Sequence, residues 1–157
     1  MTLTISQIEE LEQIVDAAIS KIYEDDPELI EKSGMERSAA FRFGLYFYCL
    51  TRKIDWLSSL DIDMEYNKIK GQNIKPTQRR PAGTQPDFIL HKRDDDTNIL
   101  VIEFKHWSNP EDREPDIKKL EDFVNQNDSY KYGLGIFIEL GKEKGDCEPF
   151  LDYEPEN

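Results

Sequence analysis

Cysteine is scarce in this chain: Cys49 lies in an apolar segment and Cys147 in an acidic one, with no others among 157 residues. That pair offers neither metal-ligand spacing nor a disulfide framework. Long apolar runs are missing too, and none approaches the roughly 20 residues a membrane helix needs. The start, Met1-Thr2-Leu3-Thr4, lacks the basic region and apolar stretch of a signal peptide. A reducing cytoplasm is therefore the expected compartment. Positive charge is also in short supply, with 20 Lys and Arg against 33 Asp and Glu, a formal net charge of −13. A protein that grips duplex DNA unaided carries a basic surface, because affinity comes largely from neutralised phosphates. Non-specific coating of DNA is thereby excluded. No internal repeat or low-complexity stretch is present, and the length suits one domain with one core.

The charge is unevenly spread. Between Tyr66 and Arg93 stand Lys68, Lys70, Lys75, Arg79, Arg80, Lys92 and Arg93 against a single acid, Asp87. The acids gather in the first helix, in 111–122 and in the tail. A local phosphate groove thus stays open as a reading.

Apolar periodicity orders the chain. Ile8, Leu11, Ile14, Val15, Ala18, Ile19 and Ile22 recur at helical spacing and predict a helix over about 6–23. Ser33-Gly34-Met35-Glu36 has the form of a capping box and should open a second, aromatic-rich helix reaching about residue 53. Ile62, Met64 and Tyr66 alternate with polar residues as in a half-buried strand, and 71–86 reads as a loop. Two apolar runs, 88–90 and 99–102, flank turn-forming residues and predict a hairpin. A helix over about 115–127 and a buried strand at 135–138 follow. The resulting order, α-α-β-β-β-α-β, predicts an α/β fold with a mixed four-stranded sheet flanked by helices, the helix between the third and fourth strands making a right-handed crossover. Residues 1–140 would form the single domain and 141–157 an acidic tail, poorly ordered at its end.

The hairpin brings chemistry together. A turn centred near Asp95 sets Asp87 opposite Glu103, and Glu103 and Lys105 share a strand face because they are two apart. Two carboxylates and an ammonium then converge at one sheet end. Hard oxygen ligands of this kind suit Mg²⁺ or Mn²⁺, with the carbonyl of Phe104 as a further ligand. Lys105 would position or deprotonate a water, or pair with a phosphate. The plainer alternative is a cross-strand charge pair on a solvated face. Val101, Ile102 and Phe104 leave little room for such a face.

Pro86-Asp87 followed by Glu103-Phe104-Lys105 resembles the signature of the PD-(D/E)XK, or restriction-endonuclease-like, superfamily. The likeness runs from Glu36 to about Gly135. The segments 65–67, 86–93 and 100–105 are similar to successive strands of one compact bacterial branch. The resemblance implies an α-β-β-β-α-β core, dependence on Mg²⁺ or Mn²⁺, and phosphodiester cleavage of nucleic acid, DNA first among substrates. It also implies a metal-facing carboxylate from the preceding helix, a place Glu36 fills. Glu36 starts the buried stripe of that helix, yet it could equally close the capping box with Ser33. Glu65 is expected on the polar face of its strand.

Lys68, Lys70, Lys75, Arg79 and Arg80 form either a flap that contacts the phosphate backbone or a solvated loop. Lys118 and Lys119 divide the same way. His106 would be structural or at the cleft rim, and Trp107 packing or a lid. The acidic surface leaves room for a partner protein or a homodimer to supply affinity. It also keeps two other classes in play, a catalytically inactive interaction or regulatory module and an acidic DNA mimic.

Overall fold

The apolar run 99–102 lies in the middle of the longest strand of the computed structural model, which describes residues 2–66, 68–69, 73–74, 77, 79–80, 83–93, 95–127, 130–147 and 151–153. In chain order the elements are α1 (Ile5–Asp25), α2 (Glu28–Glu31), α3 (Glu36–Thr51), β1 (Asp61–Met64), β2 (Lys68–Ile69), β3 (Asn73–Ile74), β4 (Phe88–His91), β5 (Asn98–His106), α4 (Glu114–Val124), β6 (Leu134–Leu140) and β7 (Leu151–Tyr153). A 3-10 turn, Lys144–Cys147, precedes β7. The main sheet runs β1-β4-β5-β6-β7. Among the described strands only β5 and β6 pair in parallel, and α4 makes the crossover between them.

This is the expected α/β class with a mixed sheet, but five strands replace four. The addition is β7, which pairs antiparallel with β6 through Gly135 and Tyr153. The stretch 141–157, read as a tail, thus supplies a sheet edge. Its approach is fixed by Tyr23, whose hydroxyl donates to the Gly141 carbonyl at 2.7 Å and meets the Cys147 Sγ at 2.7 Å. A second small sheet, β2-β3, partly occupies the stretch expected to be a loop.

Strand β5 is buried from Ile99 to His106, as it must be when helices cover both faces. Its side chains alternate between two cores. Leu100, Ile102 and Phe104 join Phe88 and Leu90 of β4 against α1 and α3. Val101 and Ile89 face the other way, onto Leu120 and Phe123 of α4. The first core centres on Phe43, whose ring centroid lies 5.1 Å from those of Phe88 and Phe104 and 5.5 Å from Phe47.

Helix α1 opens one residue earlier than its periodicity suggested. Thr4 and Gln7 form a reciprocal capping box that satisfies otherwise orphaned backbone donors. The corresponding expectation for α3 fails. Its N-cap is Met35, with no side-chain capping bond, and Gly34 turns the chain at φ 77°, a conformation that only glycine adopts cheaply. Ser33 and Glu36 therefore form no box. Strand β1 stops at Met64, because Glu65 sits at φ 48°. Glu65 thus leaves the strand face where it was expected. Among the described residues no helix is long and apolar enough to cross a membrane.

Candidate functional site

The β4–β5 register pairs Phe88 with Ile102 and Ile89 with Val101. Continuing it by one residue puts Asp87 opposite Glu103, as the hairpin reading required. Asp87 alternates with Ile89 and Glu103 with Val101, so both carboxylates belong to the α4 side of the sheet. Asp87 is fastened by the Phe104 N–H, which donates to its Oδ2 at 2.8 Å. A strand residue's N–H and C=O leave on the same side. The Phe104 carbonyl therefore points toward Asp87, past the last β4–β5 pair.

Helix α4 closes over these groups and adds two that the motif did not include. Lys119 donates an ion pair to the Glu103 carboxylate and bonds the Gln85 carbonyl at 3.1 Å. Asp116 receives the Lys105 ammonium at 2.7 Å, with Glu111 at 3.5 Å behind it. Asp116, Leu120 and Phe123 fall on one helical stripe with Lys119 beside them. Its place next to that stripe is the sequence signal that separates Lys119 from Lys118. Lys118 instead pairs with Glu114 one turn away in solvent.

Electrostatics at this sheet end are strained toward neutrality. Burial raises the Glu103 pKa well above the carboxylate range, and the Asp87 charge raises it further despite Lys119. Burial likewise raises Asp87, partly offset by the Phe104 N–H and Lys119, with Glu36 and Asp116 adding repulsion. For Lys105 burial opposes the charge, but the Asp116 hydrogen bond and the surrounding carboxylates prevail and lift its pKa. It is an ammonium at neutral pH. Electrostatic pairing, one of the roles considered for it, suits this state.

Glu36 enters from the opposite layer. Its Oε2 accepts the His106 N–H at 2.8 Å and the Asn109 Nδ2 at 3.0 Å, which is where its carboxylate goes in place of a capping box. A cleft of about 380 Å³ opens here, lined by Glu36, Arg37, Phe41, Glu65, Asp87 and Phe104 among others. Glu65 is thus at the cleft lip, paired with Arg37 at 3.2 Å. A larger cleft of about 900 Å³ lies between the end of α1 and α3. Its acids Glu24, Asp25, Asp26 and Glu28 are already paired with Lys21, Arg42 and Lys32 and no candidate site residue but the lip residues Arg37 and Phe41 reaches it, so it is the weaker site.

Two residues of the basic stretch, Arg79 and Arg80, are engaged elsewhere. Arg79 pairs with Glu121 at 2.9 Å and Asp122 at 3.5 Å, and Arg80 donates to the Pro115 carbonyl at 2.5 Å. Both clasp α4 and neither lines the cleft. Lys70 and Lys75 lie outside the described residues, and of Lys68 only the backbone, in β2, is described. His106 is fully buried, its Nδ1 2.7 Å from the Ser108 Oγ, and Trp107 donates from Nε1 to the Ile30 carbonyl at 2.7 Å. Both are packing groups that tie β5 to α2.

Among the described residues no group of three or more His, Cys, Asp or Glu side chains could hold a metal ion by itself. The two carboxylates of Asp87 and Glu103 with one carbonyl nevertheless fit Mg²⁺, which keeps several waters and takes the rest of its shell from substrate. One observation is consistent with the fit: Glu103 Oε1 is buried with no hydrogen-bond partner among the described residues. Such an orphaned acceptor is costly unless something binds it. No family model matches the chain, and no curated protein matches it.

Proposed function

We propose that the chain is a divalent-metal-dependent phosphodiesterase with a restriction-endonuclease-like core, acting on nucleic acid and on DNA first. The orphaned, fully buried Glu103 oxygen beside Asp87 carries this reading. Asp87, Glu103 and the Phe104 carbonyl would hold Mg²⁺ or Mn²⁺. The bound ion would supply Lewis acidity for attack of water on a phosphodiester. Lys105 holds positive charge beside the reacting phosphate, and Asp116 keeps that ammonium oriented. Lys119 restrains Glu103 from the other side. Glu36 fixes the β5 end through His106 and adds negative charge facing Asp87. With a net charge of −13, affinity for a long substrate would come from a partner protein or a second copy.

Calorimetry with Mg²⁺ and Mn²⁺ on the wild type and on folded Asp87→Ala tests the site. Binding is expected to vanish in the variant, together with metal-dependent DNA cleavage. Equal binding by the two proteins would remove Asp87 from the metal site. One observation favours a second reading, an inactive interaction module on the same fold: Lys119 and Asp116 already engage Glu103 and Lys105. Absence of metal binding by the wild type, with and without oligonucleotide, would select it.

A further inference from the structure

Helix α3, which carries Glu36 into the cleft, also leaves an apolar row in water. Phe41 is 55% exposed, Leu45 42% and Tyr48 49%. Their four- and three-residue steps set them in one line along the helix. Contiguous large apolar side chains in solvent mark binding surfaces. Phe41 lines the cleft with Asp87 and Glu36, so the row starts at the candidate site. Tyr48 lies roughly 10 Å farther along the axis, at 1.5 Å per residue.

Charge points to the occupant. From Glu36 to Lys53 the chain holds Arg37, Arg42, Arg52 and Lys53 against one acid, Glu36, in a protein of net charge −13. Arg42 is held by Asp26. Arg37, with 89% of its side chain exposed, stands at the cleft end, its pairing with Glu65 open to water and weak for that reason. Arg52 stacks over the Tyr48 ring at 4.5 Å at the far end, held there by the Ser58 and Leu60 carbonyls, to which it donates. Aromatic platforms flanked by guanidinium groups are how single strands are gripped, because every base has a face to stack.

We propose that this row is a track for single-stranded nucleic acid: a base stacks on Phe41 while its phosphate lies between Arg37 and Asp87, and a later base meets Tyr48. The proposal rests on the phosphodiesterase reading of the Asp87–Glu103 site and names its substrate class. A cleft of about 380 Å³ accepts a group of small-molecule size, such as one nucleotide. Stacking also gives affinity that does not depend on neutralising many phosphates, which this acidic chain is ill equipped to do.

Fluorescence anisotropy of a labelled short oligothymidylate tests the track, on the whole chain with Ca²⁺ in place of Mg²⁺ to limit turnover. Phe41→Ala should weaken binding about tenfold and Tyr48→Ala severalfold, from the usual worth of one stacked base. Ile5→Ala, at an exposed residue on α1, should leave it unchanged. Both α3 residues are half exposed, so the variants retain the core. Single-strand affinity unchanged by Phe41→Ala would overturn the track. So would a wild-type dimer that both variants dissociate in sedimentation, since the row would then be a self-association surface. Parallel Mg²⁺ cleavage assays separate the two readings. Cleavage with Phe41-independent binding sinks only the track, and Phe41-dependent binding with no cleavage of any strand sinks only the phosphodiesterase.

Discussion

Replacing Lys119 by methionine keeps most of the side chain and removes its ammonium, which isolates the buried charge of Glu103. In the wild type the Lys119 side chain is 12% exposed and that of Glu103 1%. Removing one partner of such a pair costs about 3–5 kcal/mol when the other stays charged. Glu103 has a way out, because burial and Asp87 already raise its pKa and it can take a proton. A carboxyl whose folded pKa is raised contributes stability fully present below its unfolded value, near 4. That contribution is lost as pH rises through the folded value. Lys119→Met raises the folded value further, so the loss relative to wild type grows with pH. We expect about 1 kcal/mol at pH 5 and about 3 kcal/mol at pH 8. For a domain of this size the latter lowers Tm by about 6–12 °C. Thermal unfolding across a pH series measures it. Added Mg²⁺ at about a hundred times the wild-type Kd should return about 2.7 kcal/mol to the wild type, with a larger gain at the same concentration in the variant, where no ammonium competes for Glu103. Equal losses at pH 5 and pH 8 would refute the buried-charge reasoning. A Tm indifferent to Mg²⁺ in both proteins would refute the metal site.

Two further perturbations probe the frame. Asp63 lies 2.8 Å from the His91 Nε2 and accepts from the Arg93 Nε at 2.9 Å; burial opposes its charge, but these partners hold its pKa below the carboxylate range. Its stabilising contribution is therefore present above the unfolded value near 4 and fades as pH falls below it. Asp63→Asn should cost about 2 kcal/mol at pH 7 and progressively less below about pH 4 by urea unfolding; an undiminished cost at pH 3 would assign the loss to packing. Phe43 is fully buried among three other rings, so Phe43→Ala should cost about 3–5 kcal/mol. A loss below about 1 kcal/mol would show that this cluster is not the centre of the core.

Alternation made β5 readable. Val101, Glu103 and Lys105 on one face and Ile102 and Phe104 on the other need only the two-residue period of a strand, and the hairpin then aligned Asp87 with Glu103. Local rules failed where tertiary partners outbid them. Ser33 and Glu36 have the capping-box pattern, but Glu36 is drawn to the His106 N–H, 70 residues away in sequence. Arg79 and Arg80 read as part of a flap or a solvated loop and are claimed by α4, through Glu121 and the Pro115 carbonyl some 40 residues on. Strand β7 carries no strong apolar run and forms because the edge of β6 offers it a ladder. Lys119 was indistinguishable from Lys118 until the stripe of Leu120 and Phe123 fixed which of them faces the sheet.

The charge balance around β5 bears on why these groups are assembled at all. Asp87 feels Glu36 and Asp116, and Glu103 feels Asp87 and Asp116. Against these four carboxylates stand the ammoniums of Lys105 and Lys119. Glu111 stands behind Lys105 as a further acid, so the fully ionised cluster keeps an excess of negative charge. A network serving structure alone gains nothing from an excess of buried charge, which weakens the fold. Protonating Glu103 removes part of the excess but leaves a buried O–H to satisfy, and no acceptor meets Oε1 among the described residues. A cation at Asp87 and Glu103 removes the excess and engages that oxygen in one step. On that ground the metal-dependent reading accounts for more of the arrangement than the inactive module does.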